Sequence, residues 1–335
     1  MVRIDAQARS TRLKADRWTH KFHASEAWPV DGIIRGVGTE SNMLLVQLTD
    51  LHVTTTDTAL GSALDPVARL DQAVQLLNQL ERTPDAVICT GDLVDIGTAE
   101  EYRLLRECLD RLKARWFVLP GNHDAGPAFA ETFGDRPEVP AEAPFQWVSE
   151  VEGVRLIGLD TSWPDRHDGA LDTARLNWLA AVLADAPDTP AVVALHHPPM
   201  TTGMWWMDYG GIEGASEFRR VIETNPQVMR VISGHVHRSV QTNWGSTVVS
   251  AAGSMVLQSG LGLTDDSVPM LHDLPLRAPL FVIEDGQLTA FELALEPAKF
   301  SVKLEDLVSD WATYERTARA GGPMARLNQG ETSGE

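Results

Sequence analysis

Three features of the 335-residue sequence predict an α/β fold with a largely parallel sheet. First, several short apolar runs have the length and composition of buried strands. Second, segments with apolar residues at helical spacing, such as Val67, Leu70, Val74 and Leu77, lie between these runs. Third, the two patterns alternate from residue 43 to residue 232, an order that places helices on the faces of a parallel sheet.

Each element follows from its own pattern. Strands are predicted at 43–48, 86–89, 116–119, 154–159, 191–195 and 228–232, and helices at 67–80, 100–114, 172–183 and 216–223. The end of the chain is rich in strands, at 247–251, 280–283 and 288–293. The turn signal Glu284-Asp285-Gly286 indicates that the last two form a hairpin.

We expect three regions along the chain. Residues 1–42 have no sustained strand or helix period, which is typical of a loosely ordered extension. Residues 43–300 form the main domain, in which about 252–280 is a candidate cap or oligomer contact. Residues 301–335 are expected to form a C-terminal helix and a flexible tail.

Composition excludes several classes of protein. The hydrophobic and charged fractions, 43% and 22%, are ordinary for a soluble globular protein. No apolar run approaches the roughly 18 residues of a membrane span, and no secretory signal is visible. The two cysteines are too few for a disulfide scaffold. We therefore expect a cytoplasmic protein without a membrane partner, and a homo-oligomer is a candidate state.

The charge of the chain restricts its partners. Residues 43–335 contain 21 basic and 42 acidic residues, a net charge of −21. Such a surface repels duplex DNA, because non-specific DNA binding depends on Lys and Arg at the phosphates. A small phosphorylated ligand could still bind where a local cation reverses the field. The acidity by itself favours the simpler explanation, which is solubility.

Residues of metal-binding type recur in the turns after the predicted strands. Ligands bind at the carboxyl ends of strands in open α/β sheets, so we expect these turns to converge. Each motif alone has an ordinary interpretation as a turn or a packed histidine. Six of the eight histidines in 43–335 lie in these turns, however, which favours a metal site. The candidates are Asp50, His52, Asp92, Asn122, His123, His196, His197, His235 and His237.

The types of donor narrow the choice of metal. Carboxylate, carboxamide and imidazole groups without a thiolate suit Mn, Fe, Zn or Co. Seven candidates, Asp50, His52, Asp92, Asn122, His196, His235 and His237, are too many for one ion. Two ions that share a carboxylate would use all seven, and two-metal sites commonly serve displacement at phosphorus.

In this order, the motifs TDLH, TGDLVD, LPGNHD, HHPP and GHVH resemble the pattern of the calcineurin-like metallophosphoesterases. The HHPP motif, with Gly203 and Met207-Asp208 after it, is similar to bacterial class III cyclic-nucleotide phosphodiesterases and related glycerophosphodiesterases. The resemblance implies a four-layer α-β-β-α sandwich with two facing mixed β-sheets. Purple acid phosphatases have a Tyr ligand where this sequence has Asp95, so that subfamily fits less well.

The resemblance also implies roles for the candidates. Asp50, His52 and His237 would hold one ion, Asn122, His196 and His235 the other, and Asp92 would bridge them. His123 would contact the phosphoryl group without binding a metal. The second histidine of HHPP, His197, is expected to pack beside the ligands or to contact substrate.

The implied function is hydrolysis of a small phosphodiester by in-line attack of a metal-bound hydroxide. Asp92, Asn122 and His123 would be the catalytic residues, and 3',5'-cyclic AMP or another cyclic nucleotide the substrate. A broad-specificity glycerophosphodiesterase is an alternative, and a non-catalytic scaffold is a further one. Trp205 and Trp206 could stack on an organic group of the substrate, or form a core or oligomer contact.

Overall fold

The computed structural model describes residues 43–209 and 211–296, together with 312, 313, 315 and 316, which are helical. The predicted extension at 1–42 and most of the predicted C-terminal helix and tail lie outside the described residues. In the described part of the chain, none of the helices is both long and apolar enough to cross a membrane.

The described elements alternate as the sequence predicts. In chain order they are β1 (Met43–Leu48), α1 (Ala59–Leu64), α2 (Pro66–Gln79), β2 (Ala86–Thr90), α3 (Ala99–Leu109), β3 (Arg115–Leu119), α4 (Gly126–Phe133), β4 (Trp147–Val151), β5 (Val154–Gly158), β6 (Gly169–Ala170), α5 (Thr173–Asp185), β7 (Ala191–Ala194), β8 (Ile212–Glu213), α6 (Ala215–Glu223), β9 (Val228–Ser233), β10 (Val240–Trp244), β11 (Thr247–Ala251), β12 (Gln258–Ser259), β13 (Leu271–His272), β14 (Arg277–Glu284) and β15 (Gln287–Ala294).

Two large sheets form the centre of the fold. Their strand orders are β15-β14-β1-β2-β3 and β10-β11-β9-β7-β5-β4. The pairs β1–β2, β2–β3, β5–β7, β7–β9 and β9–β11 are parallel, as predicted. The pairs β1–β14, β14–β15, β10–β11 and β4–β5 are antiparallel, so both sheets are mixed.

The buried side chains define four layers. Leu44 and Val46 of β1 pack with helices α2, α3 and α4, whereas Met43 and Leu45 pack against the second sheet. A third cluster covers the other face of the second sheet with α5 and α6, through residues such as Phe218. Alternate residues of one strand thus face different layers, and the predicted α-β-β-α sandwich is confirmed.

The predicted helix at 100–114 is too long. Helix α3 ends at Leu109, and the next turn tightens, because Arg111 and Leu112 donate backbone hydrogen bonds to residues three positions earlier. Leu112 is still buried, so the apolar spacing continues beyond the end of the helix.

The predicted cap or contact at 252–280 consists mainly of loops with the short strands β12 and β13. It exposes a set of large apolar side chains: Leu261, Leu263, Val268, Met270, Leu271 and Leu274. The assignment of this segment as a cap or oligomer contact stays a prediction.

Candidate metal centre

The turns after β1, β2, β3, β7 and β9 meet at one place. Backbone hydrogen bonds connect the first two turns, from Asp50 to the Gly91 carbonyl and from His52 to the Asp92 carbonyl. Gln47 on β1 donates its side-chain amide to the Ser233 carbonyl on β9, which links the two sheets directly below the turns. The convergence predicted from the strand ends is therefore present.

One half of the centre contains His52, His237 and Asp50. The Nε2 atoms of His52 and His237 lie 3.1 Å apart. Nε2 of His237 is 3.4 Å from Asp50 Oδ1, and Nε2 of His52 is 3.8 Å from Asp92 Oδ2. Two imidazole nitrogens and two carboxylates thus surround a single point.

The outer nitrogens of these rings determine what faces that point. Nδ1 of His237 donates to the Leu257 carbonyl at 2.9 Å, and Nδ1 of His52 lies 3.2 Å from the Asp95 carboxylate. When the outer nitrogens keep their protons, the Nε2 atom of each ring is free to bind a metal ion. Two imidazole nitrogens beside two carboxylates are donors that suit a metal cation.

The other half contains His196, Asn122 and His235. His196 donates from Nδ1 to the Thr90 carbonyl at 2.8 Å, and its Nε2 is 3.2 Å from Asn122 Oδ1 and 3.3 Å from Asp92 Oδ1. Nδ1 of His235 is 2.9 Å from the same Asn122 oxygen. Asp92 directs one carboxylate oxygen to each half of the centre.

The backbone is strained at these positions. Asp50, His52, Asp92, His235 and His237 all have positive φ angles, between 42° and 69°. This region is unfavourable for residues other than glycine, and such strain concentrates at functional sites. The strained backbone conformation directs these five side chains into the centre, at a cost in stability.

One glycine permits the close approach of the turns. A Cβ atom at Gly121 would overlap the Asp92 carboxylate and lie 2.8 Å from Nε2 of His196. Glycine is therefore needed at position 121, because any larger residue would collide with the Asp92 carboxylate.

The electrostatics of the centre depend on positive charge close to buried carboxylates. Burial favours the neutral acid, but the charge of His237 outweighs it at Asp50, and the pKa of Asp50 lies below its usual value. His196 has the same effect on the pKa of Asp92. In turn, burial opposes the charge on His196, but the two carboxylates outweigh it and raise the pKa of His196 to about 9. Both carboxylates are thus ionised and buried, which proteins tolerate only next to cations.

Asp124 and Tyr102 hold the turns in place without facing the centre, and the sequence motifs did not identify this role. Asp124 accepts hydrogen bonds from the backbone N–H groups of Gly121 and Leu93, at 2.8 and 3.1 Å, and from the hydroxyl of Tyr102 at 2.8 Å. Burial raises the pKa of Asp124 to about 7. The sequence signal for Asp124 was its position as the last residue of the GNHD motif. Tyr102 was predicted only as part of the helix at 100–114.

Comparison with known proteins identifies the family. The family model of the calcineurin-like phosphoesterases matches residues 43–239, more than half of the chain. The chain belongs to the calcineurin-like phosphoesterases.

Two relatives of this phosphoesterase are bacterial phosphodiesterases. A probable glycerophosphodiester phosphodiesterase from Arcobacter nitrofigilis is 32% identical over 67% of this chain and 83% of its own length. A cAMP/cGMP dual specificity phosphodiesterase from Mycobacterium tuberculosis is 32% identical over 62% of this chain and 66% of its own. The purple acid phosphatase of yellow lupin shares the fold, with a TM-score of 0.59 and 15% identity over 78% of this chain and 53% of that one.

His123 lies at the open side of this phosphoesterase's centre. Its side chain is about one-third exposed, and its ring meets that of His52 edge-on with centroids 4.7 Å apart. Nδ1 donates to the backbone carbonyl of Asp95 at 2.7 Å. Nε2 is therefore the nitrogen available to a ligand.

His197 is packed behind the centre. Its Nε2 donates to the His167 carbonyl at 3.1 Å, and its Nδ1 accepts from the hydroxyl of Thr161 at 2.8 Å. Burial and the charge of His196 lower its pKa well below the usual value, so the ring is neutral. Both nitrogens are occupied, which favours the packing role for His197 over contact with substrate.

The two tryptophans lie against the segment that follows β12. Trp205 donates from its indole nitrogen to the Ser267 carbonyl at 3.1 Å, and the Trp206 ring lies beside Gly262. A cavity of about 130 Å³ opens beside His235, and its lining combines Met200 and Met207 with polar residues such as His197 and Asp208. The stacking role of the tryptophans stays a prediction.

Proposed function

We propose that this phosphoesterase is a two-metal phosphodiesterase that hydrolyses a small phosphodiester, with a cyclic nucleotide such as 3',5'-cyclic AMP as its substrate. One observation carries the proposal: seven donor residues from five turns converge in two halves, and Asp92 belongs to both. Imidazole, carboxylate and carboxamide donors that converge on two points suit metal ions.

The donors divide into two sets in this proposal. Asp50, His52 and His237 would hold one ion, Asn122, His196 and His235 would hold the other, and Asp92 would serve both. Nitrogen and oxygen donors without thiolate fit Mn, Fe, Zn or Co. When bound, two such ions supply positive charge at the phosphate and lower the pKa of a water molecule.

The protein side chains contribute orientation and proton transfer. His123 is fixed through Nδ1 to the Asp95 carbonyl and offers Nε2 to the leaving oxygen, where a protonated ring can donate its proton. Asn122 holds the amide oxygen between His196 and His235 and thereby directs its NH₂ group outward. No covalent link between enzyme and substrate is needed.

The substrate class rests on relatives and on the cavity. The relatives include a cAMP/cGMP phosphodiesterase and a probable glycerophosphodiester phosphodiesterase, so glycerophosphodiesters are the second candidate. The cavity beside His235 adjoins the centre, and its mixed lining of methionine and polar residues could contact the part of the substrate nearest the phosphate. Both cysteines are free and buried, as in a protein of the reducing cytoplasm.

The proposal is tested with protein purified without chelator. We expect elemental analysis to find two ions per chain and cyclic AMP to be hydrolysed faster than glycerol or bis-aryl diesters in the presence of Mn²⁺. Asp92→Ala should lose both ions. Its turnover should fall by more than ~100-fold, which is the loss expected when only a hydrogen-bond partner of a metal ligand is removed. The exposed Asp188→Ala variant is the control and should match wild type.

Three outcomes would contradict parts of the proposal. Near-normal turnover of Asp92→Ala would refute the bridging assignment. Wild-type protein without stoichiometric ions and without diester hydrolysis would support the scaffold alternative. Faster hydrolysis of glycerophosphodiesters than of cyclic AMP would replace the substrate and leave the two-metal centre intact.

A further inference from the structure

The loop between β5 and β6 brings one more histidine to the rim of the centre. His167 lies outside the sequence motifs, yet its Nδ1 is 3.5 Å from the side-chain nitrogen of Asn122. Its ring centroid is 6.4 Å from that of His123, and the side chain is exposed. The two rings therefore border the same open space beside Asn122.

Buried contacts hold this loop in place. His197 donates from Nε2 to the His167 carbonyl, and a Cβ atom at Gly169 would lie 2.6 Å from the His197 ring. At the start of the loop, the Asp160 carboxylate accepts from the backbone N–H groups of Phe145 and Ser162, both at 2.8 Å. The backbone that carries His167 is thus held on both sides. Because His197 makes one of these contacts, its packing also fixes the position of His167.

The hydrogen bonds at Asn122 determine which proton His167 presents. The amide oxygen of Asn122 faces His196 and His235, so the NH₂ group faces His167 and donates to its Nδ1. A neutral ring that accepts at Nδ1 carries its proton on Nε2. His123 has the opposite arrangement, because its Nδ1 donates to a carbonyl and its Nε2 therefore carries a proton only when the ring is protonated.

We propose that His167 is a catalytic residue that donates a hydrogen bond from Nε2 to a non-bridging oxygen of the substrate's phosphoryl group. The inference rests on the proposed function. A fixed donor beside the phosphorus stabilises the charge that develops on that oxygen during the reaction. His123 then serves the leaving oxygen, and the two histidines have separate tasks.

The test compares His167→Ala and His167→Gln with wild type as metal-loaded enzymes. Loss of one such donor lowers turnover by ~100-fold or more, so we expect a drop of that order in kcat/KM for His167→Ala. The drop should be equal for aryl and alkyl leaving groups, because the contact is to a non-bridging oxygen. His167→Gln, which keeps an N–H donor, should recover part of the loss.

Two further measurements separate this role from a structural one. Metal content should be unchanged in His167→Ala, and inhibition by inorganic phosphate should weaken because the donor to the phosphate oxygen is missing. His272→Ala removes the other described histidine outside the motifs, an exposed residue on β13, and should match wild type in both measurements.

The outcomes distinguish this inference from the proposed function. If wild type hydrolyses diesters and Asp92→Ala does not, unchanged kcat/KM in His167→Ala overturns only the role of His167. Loss of metal from His167→Ala would mean that His167 only holds the Asn122 side chain in place. A loss of rate that grows with the leaving-group pKa would mean that His167 contacts the leaving oxygen instead. Either result overturns the assignment.

Discussion

At the scale of single residues, the outer partner of each imidazole determines which nitrogen faces the centre. Asp95 is such a partner, since its carboxylate lies 3.2 Å from Nδ1 of His52, and this hydrogen bond lowers the pKa of Asp95. We expect Asp95→Ala to weaken binding of the ion held by His52 by about 10–100-fold, as loss of such partners commonly does. Metal titration followed by calorimetry measures the change.

The contact of Asp95 with His123 provides an internal control. It uses the backbone carbonyl of Asp95, which a side-chain substitution leaves in place. Asp95→Asn retains an oxygen acceptor for His52 and should bind metal more tightly than Asp95→Ala. Equal metal affinity in Asp95→Ala and wild type would show that the carboxylate does not orient His52.

The sequence predicted the inward-facing residues but not most of their outer partners. Asp50, His52 and Asp92 are recognisable because metals select their residue types. The partners of His196 and His237 are the backbone carbonyls of Thr90 and Leu257, and any residue can supply a carbonyl. Residue type therefore carries no signal for them, and only the fold reveals the contact.

At the scale of elements, helix α3 supports the turns after β2 and β3. Thr98 and Glu101 form a capping box that fixes the start of α3, and Tyr102 in its first turn donates to Asp124. Tyr102→Phe removes this hydrogen bond to a buried carboxyl, and we expect the free energy of unfolding to fall by about 1–3 kcal/mol. Urea unfolding of the metal-loaded protein measures it.

Tyr209 offers a matched control for that substitution. It is 87% exposed, so Tyr209→Phe should leave the free energy of unfolding within about 0.5 kcal/mol of wild type. An equally small effect of Tyr102→Phe would mean that Asp124 is held sufficiently by the backbone N–H groups of Gly121 and Leu93.

Prediction of the elements succeeded where burial is complete. Strands β1, β2 and β7 are buried on both faces and consist mainly of apolar residues. Strand β10 (VQTNW) has mainly exposed or half-buried residues, so no apolar run identifies it. Its place in the sheet comes from a hairpin with β11, and the two-residue turn at Gly245 and Ser246 was the available signal.

At the scale of the whole molecule, the centre joins the two sheets. Asp50, Asp92 and Asn122 follow strands of the first sheet, whereas His196, His235 and His237 follow strands of the second. The sequence predicted that these turns converge, because parallel strands share a carboxyl end. It could not predict that two separate sheets face each other, since periodicity describes each strand but not the packing of sheets; that expectation came from the family resemblance.

A centre that bridges two sheets couples metal binding to global stability. Ions that bind only the folded chain stabilise it by about 4 kcal/mol per site when free metal is 1,000-fold above Kd. Removing both ions with a chelator should therefore lower the melting temperature by about 15 °C, since about 8 kcal/mol is lost and 1 kcal/mol corresponds to about 2 °C in a domain of this size. Scanning calorimetry before and after chelation measures the shift, and adding Mn²⁺ should restore it. Asp92→Ala, which lacks the bridging carboxylate, should respond little to the chelator. If elemental analysis shows that the ions are gone and the wild-type melting temperature is unchanged, the two sheets are held together without the centre.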